Sequence, residues 1–212
     1  MNTTSKGAQS AMSASTLTRT MARVPGPVTV VTTVDAAGVP HGFTASSFSS
    51  VSLDPPLVLI CLDKGASTHP AFCAADRFLV NVLAKEQAGI ARRFATSGID
   101  RFAAGDMRSC ELGLPGLEGS SVRVACSMNS LLDAGDHSIL IGLVQDTYVS
   151  DRVPLVYCDR LFSRPLPVGQ DPAARPDPGR LDPVRHDAER HDVERHEPER
   201  HDPVRHERSP RA

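Results

Sequence analysis

Leu57 to Leu62 (Leu-Val-Leu-Ile-Cys-Leu) is an uninterrupted apolar run of only six residues, closed by Pro55-Pro56 upstream and by Asp63-Lys64 downstream. Neither proline can donate to a β-ladder, and each turns its predecessor away from helix. The run therefore reads as a short buried strand entered through a corner. Val28 to Val34 is rich in β-branched residues, Asp35-Ala-Ala-Gly38 offers a hairpin turn, and Val39 onward returns as the partner strand. Arg77 to Ala84 is a further strand. Ser121 to Leu132 alternates, with Val122, Val124, Cys126 and Met128 on one side; Ala134-Gly-Asp136 then turns into a long strand from His137 to Val149, and Leu155 to Tyr157 gives a last short one. The helices are short: Thr16–Val24, stopped by Pro25-Gly26-Pro27, then Thr68–Ala75 and Lys85–Ala95. Thr96 to Leu117 reads as irregular and glycine-rich. At least six strands in hairpin order predict a mainly β, antiparallel barrel or sandwich with helical inserts. No Gly-x-Gly-x-x-Gly and no strand–helix alternation occur, which excludes a doubly wound dinucleotide fold.

Composition divides the chain. Pro165 to Ala212 holds nine of the seventeen prolines, nine arginines and eleven acidic residues, with no Phe, Tyr, Cys or Met. Such a segment buries too little apolar surface to offset the entropy of ordering it, so residues 165–212 are expected to be disordered. Within it Arg-His-acid recurs every five residues, with histidines at 186, 191, 196, 201 and 206. A period of five matches neither helix nor strand, so these histidines line no regular face. The tail reads as a solvated extension, with pH response or weak transition-metal capture as the functional alternatives. Residues 1–14 are small and polar and are expected to fray, which leaves 15–164 as one folded domain.

The body, residues 1–164, carries fourteen Lys and Arg against fourteen Asp and Glu, and this balance argues against nucleic acid as a partner. No apolar run is long enough to span a membrane and the N-terminus lacks a signal-peptide core, so a soluble cytoplasmic protein is expected. The cysteines, at 61, 73, 110, 126 and 158, form no Cys-x-x-Cys pair. They are expected to be reduced, with Cys61 and Cys126 acting as small core residues.

Between Thr44 and Ser52 six hydroxyl side chains stand among Ala45, Phe48 and Val51. Short side chains leave backbone amides accessible. A second polar cluster, Asp63 to Thr68, sits at the far end of the Leu57–Leu62 strand. The two segments look like walls of a site for a flat, polar-edged, anionic ligand; equally, they read as a serine-rich loop bonding to its own backbone. Asn81 interrupts its apolar strand either to satisfy local backbone, the favoured reading, or to meet a ligand edge. His137, after Gly135-Asp136, reads by spacing alone as a surface residue of a turn. There is no Gly-x-Ser-x-Gly, no histidine pair at i, i+4 and no paired acids in the apolar runs, so neither a hydrolytic centre nor a metal ligand set is assigned. A hydroxyl-lined groove with Lys64, Arg92, Arg93 and Arg101 as candidate cations suits holding an organic cofactor that carries the chemistry itself.

Met21-Ala-Arg-Val-Pro25, Val28-Thr-Val-Val-Thr32, His41-Gly-Phe-Thr-Ala-Ser-Ser-Phe48, Ser50-Val-Ser52 before Pro55-Pro56, Phe78-x-Val-Asn81-Val-Leu83, Asp100-Arg-Phe102 and Gly135-Asp-His137 occur in order. Together, over Leu17 to Arg164, they resemble the short-chain flavin reductases, the small components of two-component flavin monooxygenases, and among these the actinorhodin-pathway type. Pro27 stands where that family often has glycine. The resemblance implies a split-barrel FMN-binding fold working as a homodimer. It implies hydride transfer from NADH or NADPH to FMN, or alternatively FAD, and diffusion of the reduced flavin to a partner monooxygenase. Thr44, Ala45, Ser46, Ser47 and Ser50 would then meet the isoalloxazine and ribityl chain. Cys61, Leu62, Asp63, Lys64, Ser67 and Thr68 would meet the ring's polar edge and the phosphate. Arg101, with Phe102, would lie near the phosphate end, and His137 would be the nicotinamide-side histidine. Asn81 completes the candidate set. Two rivals remain: a pyridoxamine-phosphate-oxidase-like enzyme holding FMN tightly, and a non-enzymatic flavin- or metal-storing protein with the His-rich tail as its metal arm.

Overall fold

The computed structural model describes residues 12–169. Ser13 caps helix α1 (Ala14–Met21), its hydroxyl accepting from Thr16 N at 3.2 Å, so order begins just inside the stretch expected to fray. The tail repeat lies outside the described residues. Strands follow as β1 (Gly26–Pro27), β2 (Thr29–Val34), β3 (Pro40–Ala45), β4 (Ser49–Leu53) and β5 (Pro56–Asp63). Helix α2 (His69–Ala74), strand β6 (Arg77–Val82) and helix α3 (Ala88–Ala95) come next. Two short strands, β7 (Met107–Ser109) and β8 (Pro115–Leu117), pair within the segment expected to be irregular. The long hairpin β9 (Val122–Ala134) and β10 (His137–Val149) and the short β11 (Val156–Cys158) and β12 (Leu161–Ser163) complete the fold.

Seven strands form one antiparallel sheet in the order β3-β2-β6-β9-β10-β5-β4. It curls until its two ends face one core: Val31 and Phe43 from β2 and β3 cluster with Val58, Ile60 and Leu62 from β5 and with Leu140 from β10. Phe72 of α2 plugs this core, edge-on to Phe43 at 5.0 Å between ring centroids. This is the split-barrel arrangement with few, short helices. A second core, beneath α3, gathers Val28, Val30, Leu83, Ala91, Phe94 and Leu155.

Strand β5 differs from its expected double burial. Val58, Ile60 and Leu62 are buried, whereas Leu57, Leu59 and Cys61 are half-buried on the other face. The sheet covers only one side of it, so alternation replaces a continuous buried run. In the β9–β10 hairpin the register shifts at Ile141/Gly142, and a Cβ on Gly142 would stand 2.5 Å from Phe78 Cζ. Glycine is required there because the Phe78 ring lies against the backbone. On β9, Arg123 makes a bidentate pair with Glu111: Nε donates to Oε2 and Nη2 to Oε1, both at 2.8 Å.

Candidate functional site

A cavity of about 460 Å³ opens where β3 runs out of the sheet, beside the end of β5 and the C-terminal turn of α3. Thr44, Ala45, Ser46 and Ser47 form one wall. Cys61, Leu62 and Asp63 form the opposite wall, and Arg101 and His137 stand at its edges. Ser47 extends the ladder that β4 abandons: its Oγ accepts from Cys61 N at 2.9 Å, tying the hydroxyl run to β5. The Thr44 hydroxyl donates to Ala91 O at 2.7 Å and fixes α3 against β3. Asp63 Oδ1 accepts from Gly65 N at 2.7 Å, shaping the turn after β5.

His137 reaches the cavity because β5 and β10 pair in register, placing it opposite Asp63. Its Nδ1 lies 2.7 Å from Asp136 Oδ1, and the imidazole beside it holds the Asp136 carboxyl below the usual carboxylate range. Lys64 donates through Nζ to Asp133 Oδ1 at 2.9 Å and to Gly135 O at 2.6 Å. It thereby latches the β9–β10 turn to the end of β5.

A second cavity, of about 290 Å³, adjoins the first. Phe43 and Ala66 line the larger one while their neighbours Gly42 and Ser67 line the smaller, and Arg101 belongs to both. The Arg101 guanidinium is held at this divide by donating from Nε to Thr96 O at 3.0 Å and from Nη1 to Gly42 O at 2.8 Å. Thr68, 6% exposed, also lines the smaller cavity, and its buried Oγ1 has no partner among the described residues.

Most of the candidate residues thus converge, with Ser67, Thr68 and Phe102 in the smaller cavity. Three do not. Asn81 is fully buried, its Nδ2 donating to Val30 O at 3.0 Å and its Oδ1 accepting from Leu117 N at 2.9 Å. Both ends of its amide are engaged by backbone, which is the favoured of its two readings and takes it out of the candidate ligand contacts. Ser50 is exposed on β4, away from both cavities, because the strand has already left the cavity wall. Lys64 is the latch just described and lines neither cavity. Cys61 is a wall residue of the cavity, not a core residue; Cys126 is fully buried, and burial pushes its thiol up to about 12. Arg92 and Arg93 are engaged elsewhere, over the Phe162 ring at 5.0 Å and with Asp106 Oδ1 at 2.6 Å. The residues not anticipated are Phe43, Phe94, Ala95 and Ser97, while Gly65 and Ala66 fall within the Asp63–Thr68 cluster read as a wall. Only the helical spacing of Phe94 gave any signal, and that signal reads as core.

Residues 21–165 match the model of the flavin reductase like domain. The chain belongs to this family. It is 46% identical over 144 residues to the actinorhodin polyketide dimerase of Streptomyces coelicolor, covering 68% of this chain and 81% of that protein. It is 42% identical over 150 residues to the NADH:riboflavin 5′-phosphate oxidoreductase of Streptomyces pristinaespiralis, covering 69% and 85%. Among solved structures, the NADH:FAD oxidoreductase SgcE6 of Streptomyces globisporus C-1027, in complex with NAD and FAD fragments, superposes with a TM-score of 0.68 at 37% identity, covering 72% of this chain and 93% of that one. Other relatives are reductase components of flavin-dependent monooxygenases. This flavin reductase-family chain places its hydroxyl run, Arg101 and His137 around a single opening. No helix among its described residues is long and apolar enough to cross a membrane.

Proposed function

We propose that the chain reduces free flavin with a reduced nicotinamide dinucleotide, NADH or NADPH, and releases the product to a separate flavin-dependent monooxygenase. The observation that carries this reading is the confluence, at one open cavity, of a hydroxyl wall from Thr44 to Ser47, a single arginine and a turn-mounted histidine. When bound, the flavin supplies the ring that accepts hydride. The chain's own residues bind and orient. Thr44 to Ser47 present small side chains that let the ring lie against backbone, and Phe94 gives it an apolar flank. Arg101 holds the anionic end. His137, kept on station by Asp136 and by the Lys64 latch, would contact the nicotinamide and orient it toward the flavin ring. One arginine and a few hydroxyls give moderate retention, which suits a flavin that must leave. A homodimer fits the half-buried apolar face of β5 and the exposed Val51 and Leu53 beside it.

The test is anaerobic oxidation of NADH by the purified chain with riboflavin, FMN and FAD in turn. Bleaching of added flavin at the expense of NADH is expected. Absence of bleaching with all three overturns the reading. A protein that stays yellow through gel filtration instead favours the amine-oxidising rival.

A further inference from the structure

We propose that Cys73 is a peroxide-reactive thiol with His69 as its base, and that its oxidation marks a chain whose reduced flavin is meeting dioxygen in solution. The flavin-reductase reading above supplies the peroxide; the thiol site itself stands on the geometry of α2 and β10. A spacing of four residues stacks His69 and Cys73 on one face of α2, and Cys73 Sγ lies 3.5 Å from both nitrogens of the His69 ring. His69 Nε2 lies 2.9 Å from the hydroxyl of Ser138, a residue of β10 that is 5% exposed. With the ring proton on Nε2 and donated to Ser138 Oγ, Nδ1 turns its lone pair to the thiol. A nucleophile, a base and a third group that orients the base form the arrangement that activates a side-chain nucleophile.

The other four cysteines lack it. Cys126 is fully buried, burial also pushes the Cys110 thiol up, Cys61 stands in the cavity wall, and Cys158 Sγ lies 3.7 Å from Arg23 O. Cys73 alone is exposed, and among the described residues it alone has an imidazole partner. Its neighbour Phe72 is fully buried and anchors α2, so the thiol is carried outward on a fixed turn. Neither His69 nor Cys73 lines either of the two cavities, so the oxidant must be small and must arrive from solvent. Reduced flavin that reaches dioxygen before an oxygenase returns to the oxidised ring and leaves hydrogen peroxide. As the Cys73 sulfur attacks one peroxide oxygen, the thiol proton passes to His69 Nδ1 and the O–O bond breaks. The sulfur keeps one hydroxyl as a sulfenic acid, oxidised by two electrons; the departing hydroxide takes the proton from His69 and leaves as water.

The full chain, with its thiols reduced, is given hydrogen peroxide with dimedone as the sulfenic-acid trap, and labelling is read by peptide mass mapping. Cys73 should carry the label first, and His69→Gln should slow its labelling roughly tenfold at neutral pH. The gap should close in alkali, where hydroxide takes the thiol proton unaided. Ser138→Ala should show the same pattern with a smaller gap. In a second arm the chain turns over NADH and FMN in air; Cys73 should be labelled there too, and catalase should prevent it. Cys73→Ser should reduce flavin at the wild-type rate and take no label at that position. Label appearing first on another cysteine overturns the proposal, as do equal neutral-pH rates in wild type and both base-side variants, a gap that persists in alkali, or turnover labelling unmoved by catalase. If no flavin bleaches while added peroxide still labels Cys73 through His69, the flavin-reductase reading falls and the thiol site stands.

Discussion

Glu111→Gln probes the one ion pair in the described residues that is nearly withdrawn from solvent, the two side chains being 12% and 11% exposed for Glu111 and Arg123. Arg123 cannot swing into water once its partner is neutral. Its guanidinium lies 4.0 Å over the Tyr148 ring, and Nη1 donates to Leu117 O at 3.2 Å. Removing one member of a buried pair typically costs about 3–5 kcal/mol, because a charge is stranded. Glutamine keeps one acceptor for the guanidinium, and the Leu117 and Tyr148 contacts persist, so about 2–3 kcal/mol is the expected loss. For a domain of this size that lowers Tm by roughly 4–12 °C. The Arg123 hydrogen bonds hold the Glu111 carboxyl below the usual range. A carboxyl lowered in the folded state contributes fully above its ordinary value of about 4.3 and loses the contribution as pH falls through the folded value. The gap between wild type and Glu111→Gln is therefore complete at neutral pH and closes progressively in acid below about pH 4. Far-UV circular dichroism melts at neutral and acid pH read both quantities. A neutral-pH gap under about 0.5 kcal/mol, or one that persists unchanged in acid, refutes the reasoning. The double replacement Glu111→Leu with Arg123→Met should recover most of the loss, since no charge is then left buried.

Gly142→Ala places a methyl 2.5 Å from Phe78 Cζ and 2.7 Å from Cys126 Cβ, and should destabilise by about 1–3 kcal/mol in urea titration; an unchanged midpoint counts against the close approach. His137→Ala should raise the KM for NADH about tenfold, equivalent to about 1.4 kcal/mol, and move the flavin KM far less. A KM for NADH equal to that of the wild type removes His137 from the nicotinamide side. With its thiol pushed up to about 12, Cys126 should resist alkylation in the native protein at mildly alkaline pH while exposed Cys73 reacts, as peptide mass mapping will show. Equal labelling of the two refutes the burial of Cys126.

The strands were legible because alternation is a local signal: Val122, Val124, Cys126 and Met128 all belong to or pack against the first core, as their spacing implies. The hydroxyl wall was legible for a similar reason, since Thr44 to Ser47 are consecutive and their composition is unusual. What could not be read is whatever depends on a partner far along the chain. Nothing around Lys64 says that its ammonium belongs to Asp133 and Gly135, and nothing around Asn81 says that Leu117 and Val30 will occupy its amide. Both carry the residue type of a ligand contact, yet both are engaged within the fold, because the groups that engage them arrive only when the sheet closes. Phe94 errs in the other direction. Its helical spacing marks a core residue, and it does pack in the second core, yet it also lines the cavity because α3 ends there. A side chain that seals a core and floors a site at once leaves one periodicity in the sequence, and that periodicity reports only the core. Sites set at the rim of a small barrel are therefore under-read from sequence on their apolar side and over-read on their polar side. Here Phe43, Phe94 and Ala95 line the cavity without having been expected there, whereas Lys64 and Asn81, expected there, lie outside it.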